Sequence, residues 1–498
     1  MDLIDILLLL AYLLAVLGIG LFHARRRAAA DDFFLAGRSM GMLPIGLSVM
    51  VTSFSAVNYI SVPTEVAGNG LYIVAAFPVF ALAAWPISRI WMPFFHAMRL
   101  TSVYAWLEER FDLRVRCLGS ALFILWRVCW MATALYASGR ILAGVADLPP
   151  VLVICGGGLL ATVYTAIGGM RAVMWTDVAQ FCVLFGGIAC ALVLAAGNPA
   201  DLFARAHQAG SFAPFAPFDP TYLSTSPWVR MTLWSGLLGV FVAFLGRYGA
   251  DQVIMQRYFT ARDLRAAQRG LWLNAVAAML ALGLLALLGL AVVAHARNGG
   301  LAGPPMRQLA GLIASLPVGI TGLIVAGLLA ATMSSVDSGI NACTAAYTVD
   351  YHGRLRGRRP SLGLERGLTC GLGLLATALA LALIPLIGPR NTLFVVVNKL
   401  INGLGSPLLA LFLLGMFTRR INAPGVFIGG LIGLIASIAL TIRLTDLGLW
   451  NYATVNLLVT LLPAIICSWI ATRCGHVQPT RCAANSWVAW RQQQREAD

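Results

Sequence analysis

Thirteen stretches of this chain are apolar over about twenty residues, the length a helix needs to cross the hydrocarbon core of a bilayer. They lie near 3–23, 41–62, 70–97, 117–145, 150–168, 174–197, 228–254, 271–295, 317–350, 365–388, 391–418, 422–443 and 453–472. Inside a bilayer every backbone polar group must find its partner within the protein, so runs of this length are helices. Composition agrees: of 498 residues 59% are hydrophobic and only 11% charged, roughly half the charged share of a soluble chain. The expected fold class is an all-α polytopic membrane protein with about 13 transmembrane helices.

The formal net charge of +15 would suit nucleic acid if it were gathered on one soluble face. It is not. Arg25–Arg26–Arg27, Arg110/Arg114/Arg116, Arg257/Arg262/Arg265/Arg269, Arg354/Arg356/Arg358/Arg359 and Arg419–Arg420 fall on alternate loops, and the opposite loops carry fewer. Arginine-rich loops stay in the cytoplasm. That predicts an outside N-terminus and a cytoplasmic C-terminus in the cell inner (plasma) membrane, with no nucleic acid as partner. An odd number of spans agrees. The first span lacks a basic segment before it, so it reads as a retained anchor helix over residues 1–30 and not as a cleaved signal. The ten cysteines show no metal-binding spacing and read as small core residues.

A membrane-embedded core is expected over 31–420, further membrane helices over 421–472, and a short basic cytoplasmic tail over 473–498. The loop at 198–227 is expected to pack over the outer face. No phosphate-binding GxxxxGKS loop is present, so ATP does not act directly, and nothing in the pattern calls for an enzyme. A monomer should suffice, with the lipid bilayer as its surroundings.

The ninth span carries polar groups where apolar ones are expected. In "LLAATMSSVDSGINACTAAYTVD", Ser334, Asp337, Ser338 and Asn341 follow helical spacing and share one face. Burying a carboxylate there is costly unless a positive partner lies against it. Two other spans look broken. The second reads "GLSVMVTSFSAVNYISVP", with Ser48, Thr52, Ser53, Ser55 and Asn58 before Pro63. The seventh reads "LLGVFVAFLGRYGADQ". Irregular backbone at membrane depth survives where it is buried in protein or lines a cavity. Paired interruptions point to inverted repeats with a midplane site between them, here about 41–197 and 228–418. Close helix packing through glycine and serine is the competing explanation for either span alone. Hydroxyls on the ninth span, facing carbonyls freed by the second-span break, would form an oxygen cage for a hard monovalent cation.

The segments "FFLAGRSMGMLPIGLSVMVTSFSAVNYISVPTEV", "YTAIGGMRAVMWTDVAQ", "DQVIMQRYFTARD", "ATMSSVDSGINACTAAYTVD" and "SPLLALFLLGMFTRR" together resemble the sodium:solute symporter family, over about residues 30–420. The resemblance implies the inverted five-helix-repeat fold of the bacterial leucine transporter, Na+ as coupling ion, and import of a small organic solute by alternating access. It implies a main Na+ site of the Val51, Phe54 and Ala331 carbonyls with the Ser334 and Ser335 hydroxyls. It further implies a second cation site at Asp177 with Ser334, Asp337 and Ser338. Asp337 departs from the family pattern, which has a hydroxyl there, and so strengthens the second site or turns it towards a proton.

For the substrate, the broken second span offers Ser53, Ser55 and Asn58. Three cations lie within spans: Arg127, Arg247 and Lys399, the only lysine of the chain. Such residues mark a pathway or a counter-ion, and a guanidinium fork suits a carboxylate. By resemblance, Arg127 aligns with a carboxylate-holding arginine and Arg247 with a tyrosine gate. Phe77 takes the place of an acidic residue that holds sugar hydroxyls. The expected substrate is therefore an organic anion with an apolar body. The competing explanation pairs the cations internally, Arg247 with Asp251 or Lys399 with Asp337. A neutral-solute symporter and a solute sensor are the rival functions. A channel would need a continuous polar lining, and an intramembrane aspartyl protease would need its aspartates in other sequence contexts.

Overall fold

The computed structural model describes residues 2–24, 35–167, 170–196, 198–208, 210–212, 220–297, 303–357, 361–387, 392–474 and 485–497. Arg25–Arg26–Arg27, Arg358 and Arg359, part of the loop at 198–227 and residues 475–484 of the tail lie outside them. Apolar runs have become helices: α1 (Leu3–Ala24), α2 (Met42–Ser53), α3 (Ala56–Asn69), α4 (Leu71–Ala97), the short α5 (Ala105–Arg110) and α6 (Leu113–Ala146). There follow α7 (Pro150–Ile167), α8 (Met170–Ala196), α9 (Pro199–Gln208), α10 (Leu233–Gly249), α11 (Gln252–Phe259) and α12 (Leu264–Arg297). The chain continues through α13 (Pro305–Ala314), α14 (Ile320–Ala346), α15 (Leu362–Ala382), α16 (Leu393–Phe417), α17 (Ala423–Arg443), α18 (Asn451–Arg473) and α19 (Trp487–Ala497).

Among the described residues nine helices are long and apolar enough to span, or eleven when each of two bent pairs counts as one. The two remaining apolar runs, in α1 and α7, are shorter: Leu3–Ile19 and Pro150–Val163. The bent pairs are the two spans whose sequence looked broken. The α2 and α3 axes differ by 59°, and those of α10 and α11 by 52°.

Glycine sets how closely α2 lies against its neighbour. A Cβ on Gly46 would sit 2.8 Å from the Gly270 carbonyl oxygen, and one on Gly270 would sit 2.8 Å from the Ile45 side chain. Only hydrogens fit there, so α2 and α12 touch backbone to backbone. The polar helix α14 is fixed at its start by α1. Asp5 Oδ1 accepts from the Gly319 and Gly322 amides, both at 2.8 Å, and so satisfies free donors at a helix N-terminus.

The bundle is tied at both ends. At one end Arg116 bridges Glu108 at 2.8 Å and Asp350 at 2.7 Å, while Arg354 reaches Glu108 at 2.7 Å. Hydrogen bonds from Arg354, and the two guanidinium charges, hold the Glu108 carboxyl below the usual glutamate range. At the other end Arg230 grips Glu65 with both carboxylate oxygens at 2.9 Å.

Arg257 corrects the sequence reading of the basic loops. It is buried, because the seventh span does not end near 254 but turns and continues to Phe259 as α11.

Candidate functional site

The break in the second span falls at Phe54–Ser55. Ser55 is extended (φ −88°, ψ 177°), and its hydroxyl caps α3 by accepting from the Val57 amide at 3.1 Å. The Asn58 and Tyr59 amides both bond the Ser55 carbonyl, at 3.0 and 3.3 Å, so that of Phe54 is passed over. α14 supplies hydroxyls opposite. Ser335 Oγ lies 3.5 Å from the Thr52 carbonyl oxygen, and Ser334, Ser335 and Ala331 are fully buried, as are Val51 and Phe54. Passed-over carbonyls and buried hydroxyls facing one another are an oxygen donor set suited to a monovalent cation.

One turn deeper lies a cluster of charge. Asp177 on α8 accepts from Ser48 at 2.5 Å, Ser334 at 2.6 Å and Arg257 at 3.0 Å, with Thr52 at 3.4 Å. Arg257 also donates to Ser48 and Ser338, each at 2.7 Å, and to the Val253 carbonyl at 2.9 Å. The Ser338 hydroxyl, 3.2 Å from Asp337 Oδ1, passes the contact on to the second carboxyl group. Asp337 Oδ2 is buried without a hydrogen-bond partner. One guanidinium therefore faces two carboxyl groups, and Asp177 holds it directly. This answers what offsets the polar face of the ninth span, and the sequence reading had placed that arginine in a loop.

Between the two bent pairs is a cavity of ≈ 130 Å³. Of the expected substrate residues, Ser53, Asn58, Phe77 and Arg247 line it, and Ser55, Arg127 and Lys399 do not. Each exception has a physical reason. The Ser55 side chain is spent on the α3 cap. Arg127 makes a two-bond ion pair with Asp251, its Nε 3.1 Å from Oδ1 and its Nη2 bonded to Oδ2, with both side chains buried. Lys399 turns outward to α18, its ammonium 5.4 Å from the Tyr452 ring centre. The internal pairings weighed from sequence are thus replaced by another, Arg127 with Asp251.

Arg247 differs from Arg127 and Arg257, the other two buried arginines near the bent spans. Its guanidinium stacks over the Trp130 ring at 4.5 Å, a cation–π contact. It makes no ion pair among the described residues, and its Nε has no hydrogen-bond partner. Asn58 Oδ1 on the same wall is also unpartnered, while Ser53 Oγ and Tyr248 Oη lie within reach of one another. Buried polar atoms without partners call for an explanation, and a polar group of a ligand would supply one for Arg247 and Asn58. Among the described residues no acidic side chain lines the cavity. Sequence reasoning missed Trp130, Phe244, Tyr248, Asn398 and Asn402 in the lining. The last two, four residues apart on one helix face, were the readable signal.

The family model described as the sodium:solute symporter family matches residues 33–433. The chain is similar to the sodium/sialic acid symporter NanT of Aliivibrio fischeri, at 30% identity over 91% of this chain and 90% of that one. It is also similar to the sodium/sialic acid symporter SiaT of Proteus mirabilis, at 28% identity over 91% and 92%. The solved structure of a Na+-coupled sialic acid symporter, substrate-bound and outward-open, superposes with a TM-score of 0.84 at 25% identity, covering 94% of this chain and 98% of that one.

Proposed function

We propose, from the premise that this chain belongs to the sodium:solute symporter family, that its solute is an organic anion whose carboxylate is held by Arg247. Sodium-coupled symport of a small molecule across the membrane, in the leucine-transporter fold, follows from the family and its relatives. Family members are integral plasma-membrane transporters and not enzymes. The carrying observation for the anion is Arg247: a buried guanidinium facing a cavity that contains no acid to neutralise it. A charge so placed is costly unless a partner arrives, and a carboxylate matches its fork. Arg127 is excluded from that role in this reading because Asp251 already occupies it. The relatives named for sialic acid carry a carboxylated solute, which agrees with an anion.

In this reading the main Na+ is held by the Val51, Phe54 and Ala331 carbonyls and the Ser334 and Ser335 hydroxyls. It ties α2 to α14, and its charge favours the anion across the break. A second monovalent cation at Asp177, Asp337 and Ser338 would add one charge moved per solute; it would share Asp177 and Ser338 with Arg257, which already donates to both, and Asp337 Oδ2 is the oxygen left open to it. In this reading the N-terminus lies outside and the C-terminus in the cytoplasm, which the arginine-rich loops support.

The test is sodium-driven uptake into liposomes. Arg247→Gln should leave folded yield unchanged, because no acid loses its partner, and should weaken carboxylate binding by about a hundredfold, the cost of one charge-assisted pair. Normal uptake by Arg247→Gln, or preference for an uncharged sugar, defeats the assignment. In the same liposomes, an unchanged ratio of current to solute flux in Asp337→Asn removes the second cation.

A further inference from the structure

Resting on the reading that Arg247 binds a carboxylate, we infer that the rest of the solute is a small flat ring: the substrate class is aromatic monocarboxylates of about the size of benzoate. The first ground is size. A cavity of ≈ 130 Å³ is close to the engineered cavity of about 150 Å³ that accepts benzene. The second ground is the wall. Phe77, Phe80, Phe244, Trp130, Phe394 and Trp450 all line this one space. Phe80 and Phe244 lie 3.9 Å apart between ring centres, so the two repeats meet there through aromatic faces, one ring from α4 and one from α10.

The third ground is where the polarity sits. Arg247 is itself laid on an aromatic plane, 4.5 Å above Trp130. A carboxylate meeting that guanidinium edge-on therefore continues into a space lined by several rings and by aliphatic side chains. Aromatic pairs prefer offset or edge-to-face contact, and a flat acid makes such contacts on both faces where a puckered or branched body makes them on one. The other polar groups of the lining, Ser53, Asn58, Ser61, Tyr248, Asn398 and Asn402, can meet one or two ring heteroatoms.

Calorimetric titration and thermal shift of the purified full-length protein in sodium separate the possibilities. The probes are benzoate, cyclohexanecarboxylate, benzamide, pyruvate and sialic acid. Benzoate should bind at least about tenfold more tightly than cyclohexanecarboxylate, pyruvate or sialic acid, the lower end of what apolar pocket shape discriminates. Benzamide should bind far more weakly than benzoate. If sialic acid, pyruvate or cyclohexanecarboxylate equals benzoate, the ring is wrong and the carboxylate reading stands. If benzamide equals benzoate, the ring stands and the carboxylate reading is wrong. If no acid binds in sodium, both are wrong. Phe244→Ala should lower the preference for benzoate over cyclohexanecarboxylate, and an unchanged ratio also counts against the ring.

Discussion

The two bent spans look alike in sequence, each with small and polar residues in mid-membrane, but the structure treats the two breaks differently. At Phe54–Ser55 the chain leaves the Phe54 carbonyl passed over, and two residues earlier the Thr52 carbonyl meets the buried Ser335 hydroxyl of α14. At Ala250–Asp251 side chains take up several of the freed groups. The Tyr104 hydroxyl donates to the Ala250 carbonyl at 3.0 Å and accepts from the Gln252 amide at 3.3 Å. Asp251 caps α11 through the Val253 amide at 3.0 Å and holds Arg127. Helix breaks in a membrane protein are thus of two kinds: one keeps its oxygens for a ligand, and the other is sealed by protein. The sealed one has its own use, because it holds rigidly the last turn of α10, which carries Arg247 and Tyr248 into the cavity.

The sharpest way to break this comparison is to unseal the second break. Arg127→Gln or Asp251→Asn leaves one buried charge without its partner, which costs about 3–5 kcal/mol. Folded yield and thermal stability of each variant should therefore fall steeply, with or without solute. If either variant folds normally and loses only solute affinity, the pair is part of the binding site and the contrast between the breaks fails. Arg247→Gln is the matched control, since it removes a buried guanidinium that no acid holds.

How far the sequence revealed these differences depended on range. The polar face of the ninth span was legible because Ser334, Asp337, Ser338 and Asn341 repeat along one helix. The bends were legible because glycine, serine and charge interrupt apolar runs. Partners were not. Arg127 and Asp251 are 124 residues apart in the chain, and periodicity carries no information at that distance. Arg247 and Asp251 stand four apart, which on a continuous helix would bring them together. The break after Gly249 instead turns Asp251 away to Arg127. Arg257 was misplaced for the same reason: a bent span continued where a straight one would have left the membrane.

The open break should respond more gently, because its hydroxyls have no charge to strand. Replacing Ser334 and Ser335 together with alanine removes two of the five oxygens assigned to sodium. The sodium concentration for half-maximal uptake should rise by about tenfold, the equivalent of about 1.4 kcal/mol, with folded yield close to normal. Ser334 also donates to Asp177 at 2.6 Å, so Ser335→Ala alone is the cleaner variant and should show the smaller part of the same shift. Unchanged sodium dependence in the double variant means that the cation sits elsewhere, and the first break would then be as structural as the second.

The smallest effect is expected from Tyr104→Phe, which probes the sealing of the second break without touching a charge. The ring remains to pack against Phe123 and Phe412, with centres 5.6 and 6.1 Å away, so no cavity opens. What is lost is one hydroxyl that serves two backbone groups. Each of its two hydrogen bonds is worth about 1 kcal/mol net, and the Arg127–Asp251 pair still holds the break in place. Thermal stability should drop slightly and sodium dependence should not change, whereas the serine variants should do the reverse. That crossing of effects separates the two kinds of break more cleanly than any single large loss. If Tyr104→Phe shifts the sodium requirement and leaves stability alone, the Ala250 carbonyl is a ligand in waiting, and both breaks are open.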